Sequence, residues 1–122
     1  MINLIAHRGN TRGRLLSEEN LPRKIEEVTK EYYAEIDVWF VGNSYWLGHD
    51  KAEYQVSLDF LRNAKLFCHA KNIEALHEML KDDIHCFWHE QDYTSMTSKG
   101  FVWKYPEVYK DGKLWGICSD WL

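Results

Sequence analysis

The chain has 122 residues, 45% of them hydrophobic and 15% aromatic, with a formal net charge of −4. That composition argues against disorder and fits one compact domain, residues 1–122, burying roughly two thirds of its unfolded surface. The mild acidity gives no electrostatic footprint for nucleic acid, no apolar run reaches the ~18 residues of a membrane span, and the opening MINLIAHRGN lacks the basic and apolar regions of a secretory signal.

Residues 2–7 read as a short buried strand ending at His7, followed by the glycine-containing loop RGNTRGRLLSEEN. This loop carries the one local cluster of like charge, Arg8, Arg12 and Arg14, which suits either a solvated loop or an anion site. A helix is expected from Leu21 to Tyr32, with Asn20 as N-cap, Pro22 in the first turn, and Leu21, Ile25 and Val28 at helical spacing. Residues 33–41 alternate as a strand, Gly42-Asn43 signals a two-residue hairpin turn, and Tyr45 to Gly48 form the return strand. SLDFLRN suggests a short helix, AKLFCHAK a further strand, and NIEALHEMLKDD a helix capped by Asn72 with Ile73, Leu76 and Leu80 on one face. IHCFWHE is another strand, QDYTSMTSKG a polar loop, and FVWKY and LWGICSD the final strands, joined by PEVYKDGK.

Strands alternating with helices imply βαβ units and a mostly parallel sheet. A full eight-fold β/α barrel takes about 250 residues, so a barrel here must be cut down. The three cysteines, Cys68, Cys86 and Cys118, form no CxxC and lie in β-prone stretches, as buried thiols of a reducing, cytoplasmic compartment do.

The chemistry-bearing residues cluster in AEIDVWFVGNSYWLGHD. The strand period of two puts Glu35, Asp37 and Trp39 on one face and Ala34, Ile36 and Val38 on the other. The hairpin register sets Val41 against Ser44 and Asp37 against Gly48, which returns His49 to the two carboxylates. Carboxyl oxygens at i and i+2 can grip one hard divalent cation from one side; the plainer alternative is an edge strand with its acidic face in water. His7 and Arg8 leave the first strand together, and strand C-termini are where α/β folds place their sites. The planar guanidinium of Arg8 suits bidentate contact with a phosphate.

In order, LIAHRGN, SEEN, EIDVWF and LGHD resemble the N-terminal pattern of the glycerophosphodiester phosphodiesterases, over residues 4–50. The resemblance implies a reduced TIM-barrel-like α/β fold of the phospholipase C-like phosphodiesterase type, with about six parallel strands and a β-hairpin after strand 2. It implies Glu35 and Asp37 as metal ligands, His7 and His49 as the acid/base pair, Arg8 on the phosphate, and Glu19 and Asn20 supporting the first loop. FCHAKN aligns with the family's Ile-Glu-Ile-Lys-like strand: Lys71 keeps the phosphate-binding lysine, and His69 replaces the third carboxylate ligand. The family ion is Mg²⁺ or Ca²⁺; an imidazole in the set shifts preference toward Mn²⁺ or Zn²⁺. FVWKYP is similar to the family's Trp-Thr-Val-Asn strand and WGICSD to its closing Thr-Asp strand. IHCFWHE falls in the shortened middle, with His89 or Glu90 near the rim, and since no motif carries these two they read as packing and loop residues before site residues. His77 reads as surface, His85 as structural, and Trp103 and Trp115 as core before substrate wall.

The function expected on this basis is metal-dependent hydrolysis of glycerophosphodiesters or related small phosphodiesters, with no nucleic-acid partner and no stable membrane insertion. The competing expectations are a catalytically degenerate barrel that binds a phosphorylated ligand or metal without turnover, and a structural domain whose polar strand ends coincide by chance.

Overall fold

The structure is a computed structural model that describes residues 3–89, 94–105 and 115–122. β1 (Asn3–His7), α1 (Pro22–Val28) and β2 (Tyr33–Val41) come first, then β3 (Ser44–Leu47) and β4 (Tyr54–Val56). α2 (Leu58–Leu61), β5 (Leu66–Ala70), α3 (Ile73–Lys81) and β6 (Cys86–Phe87) follow, and β7 (Thr94–Met96), β8 (Val102–Lys104) and β9 (Gly116–Ser119) complete the order.

Among the described residues these nine strands form one mixed sheet. Neighbours run parallel from β6 through β5, β2, β1 and β9 to β8. The pairs β2–β3, β3–β4 and β7–β8 are antiparallel. The nine residues of β2 make this possible: Tyr33 to Glu35 pair with β1, Ala34 to Val38 with β5, and Val38 to Val41 with β3. Ser98, just past β7, donates its backbone N–H to the Cys86 carbonyl (2.8 Å) and accepts the Cys86 N–H on its hydroxyl (3.0 Å). The sheet therefore curls until its β6 and β7 ends meet.

This corrects the expected reduced TIM-barrel-like α/β fold with about six parallel strands. Among the described residues the molecule is a β-rich mixed sheet whose helices are three segments of seven, four and nine residues. Sequence alternation suggested βαβ units throughout, but a helix follows few of the strands, and part of the segment read as a polar loop is β7. Polar side chains do not prevent a strand where backbone pairing with β8 supplies the hydrogen bonds. The expected loop PEVYKDGK and Glu90 lie outside the described residues.

Two helix details also differ from expectation. Leu21, not Asn20, occupies the α1 N-cap, without a side-chain cap; Asn20 has φ 62° and its amide is used elsewhere. α3 is capped by Asn72, whose side chain accepts the Ala75 N–H, but it buries Ala75 and Met79 while Ile73 and Leu80 are exposed.

Strand alternation divides the apolar residues between the two sheet faces. Ala6, Ala34, Ile36, Val38, Leu66 and Cys68 pack against Ile25 and Val28 of α1 and Met79 of α3. Ile5, Phe67, Phe87, Trp103 and Cys118 form the second cluster, joined by Tyr33, Phe101 and Trp115. Two residues further along the same strands, on this second face, come His7, Glu35, His69, Tyr105 and Asp120. An apolar floor thus carries a polar layer at the strand C-termini. All three cysteines are buried and free, His77 is exposed, and His85 ties Leu66 O (3.0 Å) to the Thr97 hydroxyl (2.6 Å). No helix of the described residues is long and apolar enough to cross a membrane.

Candidate functional site

A cleft of ≈ 660 Å³ opens at the polar layer, and His7, Arg8, Glu35, Asp37, His49, His69 and Lys71 all line it. Strand register brings them together: His7 pairs with Glu35 across β1–β2, and Asp37 with His69 across β2–β5. The hairpin register follows the expected one, with Val41 opposite Ser44, and the Gly48 N–H donates to the Asp37 carbonyl (3.1 Å). Gly42 and Asn43 both take positive φ, 57° and 61°, as a tight hairpin of this twist requires.

Glu35, Asp37 and His69 offer ligand atoms that all lie within 4.8 Å of one another. Glu35 and Asp37 are 3% and 1% exposed, which removes the solvated-edge alternative. His69 Nε2 donates to the His89 carbonyl (2.9 Å), so its Nδ1 faces Asp37 Oδ1 at 3.2 Å and Glu35 Oε2 at 3.7 Å. A neutral imidazole with this tautomer would point three acceptors at one another; the arrangement calls for a proton or a cation between them. Burial alone would lower the His69 pKa, but its hydrogen bonds and charge contacts with Asp37 and Glu35 outweigh that and push it up to about 9. Asp37 behaves in the opposite sense. Burial favours its neutral form, yet the close imidazoles of His49 (3.5 Å) and His69 (3.2 Å) and the charges of His69 and Arg8 hold it well below the usual carboxylate range. Two carboxylates and one imidazole nitrogen are a fitting ligand set for a divalent transition ion.

Arg8 takes φ 54°, an uncommon conformation for a residue with a side chain. That turn aims its backbone N–H at Glu35 Oε1 (3.3 Å) and drops its guanidinium among Glu19 Oε1 (3.1 Å), Asp37 Oδ2 (3.4 Å) and His49 Nε2 (3.3 Å). Burial opposes its charge, but Asp37 and Glu35 more than compensate and raise its pKa. Glu19, buried, also accepts from Asn10 (2.8 Å) and Arg14 (3.4 Å), which together with Arg8 overcome its desolvation and lower its pKa. Asn20 braces Asp37 at both ends: its amide donates to Oδ2 (2.9 Å) and its carbonyl accepts the Asp37 N–H (2.8 Å). This brace, not helix capping, is where the Asn20 side chain goes.

His7 Nδ1 donates to Asp120 Oδ1 (2.9 Å), and its ring stacks on Tyr105 at 4.1 Å between centroids. Asp120 also accepts from Asn10 (2.9 Å) and the Tyr105 hydroxyl (2.8 Å). Burial would raise its pKa, but these donors and the His7 charge lower it. His49 Nδ1 lies 3.5 Å from Asp37 Oδ2. Each imidazole therefore has a carboxylate behind its Nδ1. Sequence reasoning missed Asp120, Tyr105 and Asn10 as site residues; the only signal was the similarity of WGICSD to a strand closing on Thr-Asp.

His49 is placed by Gly48, which has φ +154° and whose added Cβ would stand 1.9 Å from the Lys51 carbonyl oxygen. Gly48→Ala is expected to cost about 1–3 kcal/mol of stability, read as a lowered thermal midpoint, and to displace His49 from Arg8. Lys71 sits at the end of β5, its N–H bonded to the Val38 carbonyl (2.8 Å). Of the two rim candidates, His89 lines the cleft. Trp103 is buried and lines the cleft as well, whereas Trp115 stacks on Phe101 (4.4 Å) in the floor. Compared with family models, curated proteins and solved structures, the chain finds no match.

Proposed function

We propose that this protein is a metal-dependent phosphodiesterase that hydrolyses small phosphodiesters by paired-histidine acid/base catalysis. The observation that carries the reading is the convergence, in one cleft, of a three-acceptor cation site with two carboxylate-backed imidazoles and a buried arginine. Glycerophosphodiesters are the substrate class suggested by the sequence resemblance.

The cleft holds the diester by charge: Arg8 and Lys71 face its non-bridging oxygens, and Glu19 and Asn20 keep Arg8 and Asp37 in place. A divalent ion on Glu35, Asp37 and His69, with Mn²⁺ or Zn²⁺ suiting the nitrogen ligand better than Mg²⁺ or Ca²⁺, would neutralise phosphoryl charge when bound. One imidazole takes the proton of the attacking hydroxyl as the new O–P bond forms. The other gives its proton to the departing ester oxygen as the old P–O bond breaks. Asp120 behind His7 and Asp37 behind His49 stabilise whichever ring carries the proton. The free, buried thiols accord with a reducing, cytoplasmic setting.

The test combines turnover and melting with each ion. An ion held only by the folded chain raises the thermal midpoint, by about 2.7 kcal/mol of stability at a hundredfold excess over Kd. We expect that shift with Mn²⁺ or Zn²⁺, together with release of alcohol from a phosphodiester. No shift with any of the four ions removes the metal site. A shift without turnover favours the second reading, a chain that binds a phosphorylated ligand without hydrolysis, for which His69 in place of a carboxylate is the specific support.

A further inference from the structure

The proposed chemistry occupies the β1, β2 and β5 side of the cleft; Phe87, Trp88 and His89 line the β6 side. Trp88 is 42% exposed, although it belongs to the cleft lining and follows directly on the buried Phe87. Phe87 stacks on His69 (5.0 Å, 15°) and meets Trp103 edge-on at 5.0 Å. Lys71 follows β5 at the same end as Trp88 follows β6, since His69 pairs with Phe87. Among the described lining residues the only carboxylates are Glu35 and Asp37, both engaged at the cation site. Among the described residues, a quaternary ammonium group beside Trp88 would thus meet Lys71 and no unengaged carboxylate. The indole N–H of Trp103, also in the lining, is buried and has no hydrogen-bond partner among the described residues. It offers a donor to a ligand that carries acceptor atoms.

Resting on the phosphodiesterase reading, we propose that the substrate is a phosphodiester one of whose ester groups ends in a flat, acceptor-bearing unsaturated ring, of the nucleobase type, that stacks on Trp88. A glycerol-sized ester reaches little beyond the phosphate, whereas the cleft of ≈ 660 Å³ lies within the range that takes drug-sized ligands. Stacking of such a ring on an aromatic side chain changes affinity by roughly 5- to 150-fold on alanine substitution.

The test compares the methyl phosphodiesters of adenosine 5′-phosphate and of glycerol 3-phosphate, with Mn²⁺ present. Wild type is expected to prefer the adenosine ester in kcat/KM, and Trp88→Ala to collapse that preference by roughly 5- to 150-fold, mostly through KM. Trp88→Phe should restore most of it. Equal losses on both esters, or no change in their ratio, overturn the proposal. Calorimetry of both esters on His7→Ala separates the two readings. If wild type hydrolyses neither ester yet the adenosine ester binds more tightly and Trp88→Ala abolishes the difference, the ring site stands and the catalytic reading fails. If binding shows no preference, the ring site fails whatever the turnover.

Discussion

His7→Ala and His49→Ala each lower phosphodiester turnover by about 10²–10⁴-fold, the usual worth of one positioned acid or base, while the chain still folds. The folding half of that expectation comes from what each truncation leaves behind. Without His7, Asp120 keeps Asn10 and the Tyr105 hydroxyl as donors, at 2.9 and 2.8 Å, so no buried carboxylate is stranded. Without His49, whose side chain is 40% exposed, Arg8 keeps its pairs with Glu19 and Asp37. Turnover measured alongside far-ultraviolet circular dichroism and melting separates the effects. Full activity in either variant would remove that ring from the mechanism, and loss of folding in both would leave the site's chemistry to the conservative His→Gln variants.

Asp37→Ala is expected to have the largest effect on stability. Its carboxylate is 1% exposed and lies within 3.5 Å of Arg8, His49 and His69, with Asn20 hydrogen-bonded to it. Removing one partner of a buried ion pair leaves the others uncompensated and costs about 3–5 kcal/mol, which in a domain of this size lowers the melting midpoint by about 10–20 °C. The stabilisation by added Mn²⁺ or Zn²⁺ should vanish with it. A midpoint within two or three degrees of wild type (roughly the effect of a surface change), with the ion response intact, would refute the assignment.

The same network gives the metal-free protein a defined pH dependence. His69 is raised from 6.5 to about 9, so its contribution is complete below pH 6.5 and is lost as pH rises toward 9. Asp37 is lowered, so its contribution is present above 3.8 and is lost as pH falls through its folded value. Between pH 6.5 and 9 the apo protein should lose about 2–3 kcal/mol, and His69→Gln should flatten that slope in the same melting series.

Local periodicity made much of the site readable from sequence. Ala34, Ile36 and Val38 enter the helix-covered core while Glu35 and Asp37 take the other face, because strand side chains alternate whatever the sheet around them. Gly42-Asn43 set the hairpin register, and with it the return of His49, since the turn admits little else. What failed was non-local. Asp120 lies 113 positions from the histidine it orients, and no spacing rule reaches that far. Asn20 has the side chain of a helix cap, but a carboxylate across the loop needed its amide more than the helix did. In α3 the apolar positions Ile73 and Leu80 pointed outward because β2 and β5 present their packing surface to Ala75 and Met79. The barrel expectation failed for a related reason: strand alternation was legible, but which strands would be joined without helices, and in which direction, depends on pairings between distant segments.

The His7–Asp120 contact joins β1 to the residue that follows β9, strands adjacent in the sheet though they lie far apart along the chain. A polypeptide emerging in order exposes Glu35, Asp37 and both imidazoles long before the carboxylate that steadies His7 exists. The assembled cleft therefore arrives late, after a loop of 113 positions has been closed. Partly folded chains, however well their hairpin and first helix are formed, hold these groups apart, so any activity of the cleft depends on the architecture around it being whole.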